Sequence, residues 1–184
     1  SLGLVGSEMC IRDSSFTDGL ALVSEGGREG FIDTDGNYVI KLTDKVDYAS
    51  FSDGYALIRK GNKWGFIDKK GNIVIKPAFY GAADFKEGFA SIMEKVGDKY
   101  LSGYINKKGK MITKAIYEEV DDFQEGMACV KKNGKYGFIN KKGKLVVNAI
   151  YDNAFSYENG LAYVAKGSNA YFIDKTGKKV ITIK

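Results

Sequence analysis

One phrase recurs along this sequence and constrains its fold more than any other feature. It reads KKNGKYGFIN at 131–140 and KGNKWGFID at 60–68, with looser versions at 25–33, 98–106 and 166–174. A repeat of this size is too small to bury its own apolar face, so stacked copies must share a continuous core. The chain is therefore predicted to be an array of five repeats.

The five copies align on one glycine each. These aligned glycines are spaced 35, 34, 38 and 34 residues apart, at Gly19, Gly54, Gly88, Gly126 and Gly160. Each is followed after two residues by Ala and after four by Val or Ile, and later by an aromatic residue, Ile, and Asp or Asn. The repeats are expected to form one domain over 15–184, with bounds at about 16–50, 51–84, 85–122, 123–156 and 157–184.

The local pattern distinguishes strands from helices. A period near 34 residues is also typical of helical tetratricopeptide repeats, but here apolar and polar residues alternate over short segments bounded by Gly. The sequence contains 23 Gly, and each would destabilise a helix interior by about 1 kcal/mol relative to Ala. We therefore predict an all-β fold of tandem antiparallel three-stranded meander repeats, arranged as a superhelical or propeller-like array.

The turns of the fourth copy can be predicted from its residues. Asn133-Gly134 indicates a tight hairpin whose Gly has positive φ, and 140–143 (NKKG) indicates a type I turn stabilised by the Asn side chain. The flanking strands are expected at about 127–132, 135–140 and 144–148. Because three strands leave the chain at the wrong end for the next repeat, we expect each connector to return as a short fourth strand.

A glycine precedes the strand aromatic in four copies. Since Gly weakens a strand, we expect close approach of a neighbouring ring or backbone at Gly30, Gly65, Gly103 and Gly137. The fifth copy has Tyr171 there, which we interpret as a capping feature of a terminal repeat with one neighbour fewer.

These residues resemble the WG-repeat family, whose motif is G-x-K-W-G-F/Y-I-D-x-x-G. The second copy matches throughout and the fourth matches with Tyr in place of Trp, whereas the first and third keep only the Gly of the Trp-Gly pair and the fifth has lost both. The structural motif positions of the second and fourth copies are Trp64, Gly65, Phe66, Asp68, Gly71, Tyr136, Gly137, Phe138 and Gly143. The resemblance implies a bacterial β-repeat array, often beside other domains or in envelope-associated contexts, with no family active site to carry over.

The composition argues against most catalytic chemistry. The chain has no His and two Cys without a CxxC pair, so it lacks the residues of His-dependent nucleophile systems, His-ligated metal sites and Cys-rich zinc sites. The P-loop, HExxH, GxSxG and SxxK motifs are also absent from the sequence. We expect a protein that is not an enzyme and that binds no cofactor or metal.

Two acidic segments have an alternative interpretation as cation sites. The stretch 33–37 resembles the start of a Ca²⁺ loop, but Tyr38 stands at the sixth position, which should be Gly, so an Asx-Gly turn is favoured. One connector carries four carboxylates, which we interpret as solvated rather than as a cation site: Glu118, Glu119, Asp121 and Asp122.

Residues 1–14 (SLGLVGSEMCIRDS) share no pattern with the repeats. They resemble a translated sequencing-adapter read-through, so we interpret them as a non-native segment, with a genuine disordered tail as the alternative. On this interpretation the natural N-terminus is missing, and the lack of a signal peptide leaves the localisation unknown. The residues present contain no apolar run long enough for a transmembrane helix, so membrane insertion is not expected.

Lysines at the predicted hairpin tips are one candidate binding surface. The candidates are Lys107, Lys108, Lys141 and Lys142. A basic rim could bind an anionic polymer, consistent with a pI of about 9.0, but Lys at turns also opposes edge-to-edge aggregation. Specific phosphate or base recognition prefers Arg, and only Arg28 and Arg59 follow residue 14. Nucleic-acid binding is therefore disfavoured.

Aromatic side chains form the second candidate set. The rings that recur with the repeat are predicted to pack in the core: Phe31, Phe66, Tyr104, Phe138 and Phe172. The connector tyrosines are expected to be more exposed and able to stack on sugars: Tyr48, Tyr80, Tyr117 and Tyr151.

The motif also bears on the burial of two further side chains. Trp64 could lie equally in the core or at the surface. Cys129 is predicted to be a small, unreactive residue that points away from the strand face shared by Ala128 and Val130.

The function expected from the sequence is a non-catalytic module that presents a binding or scaffolding surface to a protein partner. The alternative is a cell-envelope or glycan-binding module that uses the connector tyrosines. A fragment of a larger enzyme is the least favoured interpretation.

Overall fold

The computed structural model describes residues 15–25, 28–42 and 47–183, with the backbone alone for residues 25, 28 and 47–50. The predictions for residues 1–14 and for the Tyr48 side chain lie outside this part of the chain. Within it every regular element is a β-strand, which confirms the all-β prediction. No helix in these ranges is long and apolar enough to cross a membrane.

The strands in the described ranges form five antiparallel sheets, one for each copy of the motif. By sheet they are β1 (Ala21–Glu25), β2 (Arg28–Ile32) and β3 (Tyr38–Lys41); β4 (Asp47–Ser52), β5 (Tyr55–Lys60), β6 (Lys63–Asp68) and β7 (Ile73–Phe79); β8 (Gly81–Ala82), β9 (Phe89–Val96), β10 (Lys99–Asn106) and β11 (Met111–Tyr117); β12 (Glu119–Val120), β13 (Met127–Lys132), β14 (Lys135–Asn140) and β15 (Leu145–Tyr151); and β16 (Asn153–Ala154), β17 (Ala162–Lys166), β18 (Asn169–Ile173) and β19 (Lys179–Ile183).

The chain divides into two compact units, Ser1–Ala78 and Phe79–Lys184. The first two sheets belong to the first unit, apart from the last residue of β7, and the other three sheets belong to the second. The single domain over 15–184 and the repeat bounds given above remain predictions.

Four sheets contain one strand in addition to the predicted meander of three, and this strand has two residues in the last three sheets and six residues (β4) in the second. In the fourth sheet β12 pairs with β13 through Glu119↔Lys131 and Val120↔Val130, and the strand order is the chain order β12-β13-β14-β15. The connector therefore returns as a fourth strand, as predicted. An even number of antiparallel strands brings the chain back to the end of the sheet from which it started, so the next repeat can begin in the same orientation.

The hairpin predicted at Asn133-Gly134 is present. The two residues have φ of 52° and 72°, as a two-residue type I′ turn requires. The β13 and β14 strands that flank it have the predicted bounds, whereas β15 continues to residue 151 instead of ending near 148.

The predicted Asx turns are also present. Asn140 Oδ1 accepts hydrogen bonds from the backbone amides of Lys142 and Lys144 at 3.0 and 3.1 Å. Asp33 Oδ1 accepts from the Asp35 and Asn37 amides at 3.0 and 2.9 Å in the same way. The acidic stretch at 33–37 is thus an ordinary turn of the repeat.

Close approach of a neighbouring strand explains the glycine before the strand aromatic. A Cβ atom on Gly137 would lie 2.5 Å from the Val147 carbonyl oxygen, at a point where the register between β14 and β15 shifts. In the fifth sheet Tyr171 pairs with Thr182 in regular register. The side chain of Tyr171 therefore has room that a side chain at position 137 would lack.

The fourth sheet packs through both of its faces. On β13, Ala128 and Val130 belong to a core with Tyr104 of the preceding sheet. Met127 and Cys129, on the opposite face, belong to a core with residues of the following sheet. This confirms the predicted orientation of Cys129, and burial raises the pKa of its thiol to about 12.

Candidate functional site

An aromatic residue stands three positions before each aligned glycine, and in the second, fourth and fifth repeats it inserts against the preceding sheet. The Phe123 ring lies 5.1 Å from the Tyr104 ring, and the Tyr157 ring lies 4.8 Å from Phe138, both with edge-to-face geometry. In the first compact unit, Phe51 lies 4.8 Å from Phe31. We call this residue the inserted ring, because it joins one repeat to the one before it.

The inserted ring is received by one face of the preceding sheet, here called the receiving face. In the fourth sheet this face consists of four buried side chains from three strands: Met127, Cys129, Phe138 and Val147. In the first sheet the equivalent buried residues include Leu20, Phe31 and Ile40. Four of the repeated rings are buried, 0–1% exposed, as predicted for core residues: Phe31, Phe66, Tyr104 and Phe138.

A second hairpin turn, which was not predicted, lies at the aligned glycine. Glu125 and Gly126 have φ of 52° and 82°, and Gln124 and Met127 exchange backbone hydrogen bonds across them. A non-glycine residue in this left-handed region costs roughly 1–2 kcal/mol. The periodic Asp-Gly and Glu-Gly pairs between apolar segments were the signal that could have revealed this turn.

The carboxylate of this strained residue bonds to the next repeat. Glu125 Oε2 accepts a hydrogen bond from the Gly160 amide at 2.9 Å, and the Lys175 ammonium lies 3.1 Å from the same oxygen. Two hydrogen bonds hold the pKa of Glu125 below its usual 4.5. The bond from the Gly160 amide has the larger effect, and the bond from the Lys175 ammonium has the smaller one.

The same arrangement occurs one repeat earlier. Glu87 accepts from the Glu125 and Gly126 amides at 2.8 and 2.9 Å, and Lys141 Nζ lies 3.1 Å from its carboxylate. Burial acts to raise the pKa of Glu87, but the bonds from Lys141 and the Gly126 amide outweigh it and the pKa is lowered.

Asp18 links the first two repeats in the first compact unit. Its carboxylate accepts from the Gly54 amide at 2.5 Å, and Lys69 Nζ donates to its backbone carbonyl at 2.6 Å. The acidic residue, the next aligned glycine and the first Lys of the next Asx turn thus form a recurring polar link between repeats.

One lysine of the predicted binding surface forms part of these links and is paired with a carboxylate. Lys141 is an inter-repeat residue, whereas Lys108 and Lys142 are exposed at turn tips and Lys107 is half-buried. Lys131 pairs with Glu119 at 2.6 Å. Several lysine charges are therefore compensated locally.

The predicted exposure of the connector tyrosines is wrong for Tyr117 and Tyr151, which are 4% and 6% exposed. Both are the last residue of an edge strand, β11 or β15, and belong to a core between sheets. β15 extends three residues beyond its predicted end near 148. Tyr80 is 42% exposed, and its ring lies 5.3 Å from that of the exposed Tyr100. Of these three predicted tyrosines, Tyr80 alone remains a surface candidate.

Trp64 lies between the two predicted alternatives of core and surface. It is half-buried, with the Arg59 guanidinium carbon 5.5 Å from its ring centroid.

Two carboxylates of the acidic connector accept hydrogen bonds within their own sheet. Glu118 accepts from the Gly134 amide at 3.0 Å, and Glu119 accepts from the Tyr136 hydroxyl at 2.6 Å. In the ranges that the structure covers, no group of three or more His, Cys, Asp or Glu side chains could hold a metal ion.

The receiving face of the fifth sheet is open. Leu161, Tyr163, Phe172 and Ile181 occupy the positions of the receiving face, and with Phe155 they line a cleft of about 750 Å³. Phe155 and Ile181 are 59% and 49% exposed. This also explains why Phe172, unlike the other repeated rings, is only half-buried.

Exposed apolar side chains also recur on the edge strands of both compact units. The third residue after the glycine of each Asx turn is apolar, and four of these five side chains are 36–54% exposed: Val39, Val74, Val146 and Val180. Their counterpart Ile112 is half-buried. On β15, Val146, Asn148 and Ile150 lie on one side of the strand and are all exposed.

The fold and these links define a tandem β-repeat protein built from one sheet per repeat. The model of the WG containing repeat matches residues 30–64, 64–100, 103–136 and 136–169. The chain therefore belongs to the WG-repeat family. No curated protein matches its sequence.

Solved structures show the same fold at low sequence identity. A crystal structure of the eukaryotic initiation factor matches with a TM-score of 0.58 and 12% identity, covering 96% of this chain and 54% of the other. Kluyveromyces lactis Hsv2p matches at 0.51 and 13%, covering 85% and 58%. Kluyveromyces marxianus Hsv2 matches at 0.50 and 14%, covering 96% and 64%. The chain thus spans roughly half to two thirds of these propeller-like proteins.

Proposed function

We propose that this protein is a non-catalytic repeat module that binds a protein partner along its edge strands. The observation that carries the proposal is the apolar side chain exposed at the same edge-strand position in four repeats. Packing between repeats uses the receiving faces and the inserted rings, so it gives no reason for these exposed residues. Exposed apolar surface bordered by polar residues is typical of protein interaction sites.

The charges around this surface favour a protein over an anionic polymer. Binding to a polyanion would need lysines whose charge is available for phosphate, whereas Lys131, Lys135, Lys141 and Lys175 are paired with carboxylates. The strand edges also bear lysines such as Lys114, which oppose pairing with an added strand. The partner is therefore proposed to contact side chains of the edge strands and not to extend the sheets.

The edge strand β15 offers a matched test. A photo-crosslinking amino acid at Asn148, between Val146 and Ile150, should capture the partner from an extract of the source organism. Binding of that partner, once purified, should then weaken about tenfold or more on Ile150→Ser, equivalent to roughly 1.4 kcal/mol. Asn148→Ser shortens a polar side chain on the same side of the strand without changing any apolar surface, and it should leave the affinity unchanged. Equal affinities of the wild type and Ile150→Ser would refute the proposal.

A glycan is the second candidate ligand, and the exposed Tyr80–Tyr100 pair favours it. Sugar faces stack on exposed rings, and such binding should be insensitive to salt. Titration with peptidoglycan fragments and chitooligosaccharides should show binding that is lost on Tyr100→Ala. Phe155→Ala removes an equally exposed ring elsewhere and should have no effect; failure of every oligosaccharide to bind the wild type would exclude this candidate.

A further inference from the structure

The fifth repeat departs from the motif at two positions whose side chains contact each other. Tyr171 stands where the other four repeats have Gly, and Lys179 stands where they have an apolar residue: Tyr38, Ile73, Met111 and Leu145. The Lys179 ammonium lies 3.6 Å from the centroid of the Tyr171 ring. The two departures therefore act at one place in the fold.

This place is a cleft between the fourth and fifth repeats. Tyr171 packs against the core that the fourth and fifth sheets share, so it faces the fourth sheet and not the open receiving face. Together with Ile150, near the end of β15, it lines a cleft of about 630 Å³, a size typical of binding sites. Both walls of the cleft are thus formed by sheets that pack against each other within this chain.

The cleft carries an excess of positive charge. Three ammonium groups and one carboxylate line it: Lys135, Lys166, Lys179 and Asp152. Asp152 Oδ1 accepts a hydrogen bond from the Lys135 ammonium, and its Oδ2 accepts from the Gly167 amide at 2.7 Å. That carboxylate compensates one of the three ammonium groups, so the lining has a net charge of +2.

The ammonium groups of Lys166 and Lys179 remain for a ligand. Among the residues that the structure describes, neither of them forms an ion pair with a carboxylate. The ring of Tyr171 attracts the Lys179 ammonium without neutralising it, so this charge is held at the wall of the cleft. The cleft thus combines two available cations with the apolar surface of Ile150 and Tyr171.

We propose that this cleft binds an acidic side chain of the protein partner between Lys166 and Lys179, with an adjacent apolar side chain against Ile150 and Tyr171. The proposal rests on the function proposed above, because Ile150 belongs both to the exposed side of β15 and to the cleft. A partner segment that follows β15 therefore reaches the cleft. A carboxylate fits this site better than nucleic acid, because phosphate recognition prefers Arg and no Arg lines the cleft.

Selection of peptides on the full chain tests the proposal without knowledge of the partner. Random linear peptides displayed on phage and enriched on the immobilised protein should carry Asp or Glu beside an apolar residue. A synthetic peptide of the enriched sequence should bind less tightly as the salt concentration rises.

Lys179→Leu introduces a side chain that the motif already has in the fourth repeat. It should weaken binding of the synthetic peptide about tenfold or more, and, because Lys179 is exposed, it should keep the circular dichroism spectrum of the wild type. Lys144→Leu removes an exposed lysine of the fourth repeat that does not line the cleft, and it should leave the affinity unchanged.

Replacing the acidic residue of the peptide by its amide identifies the contact. The amide should weaken binding to the wild type but have little further effect on Lys179→Leu, since the two groups act as one pair. Equal affinities of the wild type and Lys179→Leu, enrichment of peptides without an acidic residue, or no enrichment would overturn the proposal.

Two other results would overturn it in distinguishable ways. A peptide that is weakened by Val146→Ser and not by Lys179→Leu would refute the role of the cleft and leave the edge-strand function intact. Binding of a single-stranded oligonucleotide that is lost in Lys179→Leu, without enrichment of acidic peptides, would assign the lysines to a polyanion instead.

Discussion

The Glu125 carboxylate accepts a hydrogen bond from the Gly160 amide at 2.9 Å, while the backbone of Glu125 itself has a φ of 52°. Asn or Gly would occupy this backbone conformation with less strain, but neither supplies a carboxylate. Charge-assisted hydrogen bonds are stronger than neutral ones, so the link to the next repeat explains why a glutamate stands in a strained turn.

The first prediction concerns the pH dependence of this link. Because the pKa of Glu125 in the folded protein is lowered from 4.5, its contribution to stability is complete above 4.5 and is lost as the pH falls through the folded value. Glu125→Gln should therefore lower the urea midpoint near neutral pH, and the difference from the wild type should shrink at pH values well below 4.5. Glu158→Gln, at an exposed glutamate of the next repeat, is the control. A deficit in Glu125→Gln that is the same at both pH values would contradict the role of the charge.

The second prediction compares two inserted rings. Phe123→Ala removes a ring that is 3% exposed and packed against Phe89 and Tyr104, so the free energy of unfolding should fall by about 3–5 kcal/mol. Phe16→Ala removes the aromatic residue three positions before Gly19, which is 49% exposed, and should cost about 1 kcal/mol or less. Urea denaturation at micromolar protein, where chains are dilute, measures both losses. Similar losses would show that Phe16 is packed in the isolated chain.

The third prediction tests the close approach at Gly137. Gly137→Ala places a Cβ against the Val147 carbonyl and the Ala149 amide, so the unfolding free energy should fall by about 1–3 kcal/mol. Lys132→Ala, at an exposed position of the neighbouring strand, should change it by no more than about 0.5 kcal/mol. A neutral Gly137→Ala substitution would mean that β15 can move away from β14 without loss.

The fourth prediction concerns the thiol of Cys129. This side chain is 2% exposed and its pKa is raised to about 12, so little thiolate exists at neutral pH. In a Cys10→Ser background, a thiol reagent should label native protein at the rate of global unfolding and should label urea-unfolded protein within the mixing time. Rapid stoichiometric labelling of the native protein would place Cys129 at the surface.

The residue pattern predicted the sheets more fully than the contacts between them. Gly134 and Gly137 act within one sheet, through local backbone geometry, and their roles were predicted from the sequence. The burial of Tyr117 and Tyr151 depends on how far β11 and β15 extend and on the sheet packed against them. The sequence of a single repeat indicates neither the strand length nor the neighbouring sheet, so these two tyrosines were wrongly expected at the surface.

The polar links between repeats illustrate the same limit. Asp18, Glu87 and Glu125 recur at one motif position, yet their partners lie 35 to 39 residues further along the chain. A period identifies equivalent positions but not which copies touch, so the links became visible only when neighbouring sheets were placed together. The exposed valines were unpredicted for a related reason, since a recurring apolar residue normally indicates a core.

The links between repeats also bear on how such a chain can change its length during evolution. Every described junction uses the same groups at fixed motif positions. These are an aromatic ring, a carboxylate, and the backbone amide of the next aligned glycine, which donates to that carboxylate. Duplication or loss of one whole copy of the motif therefore recreates a junction that already works and requires no compensating mutation elsewhere. Recombination within a copy, in contrast, would separate a ring from the glycine and carboxylate that act with it, so viable rearrangements should fall at multiples of the period.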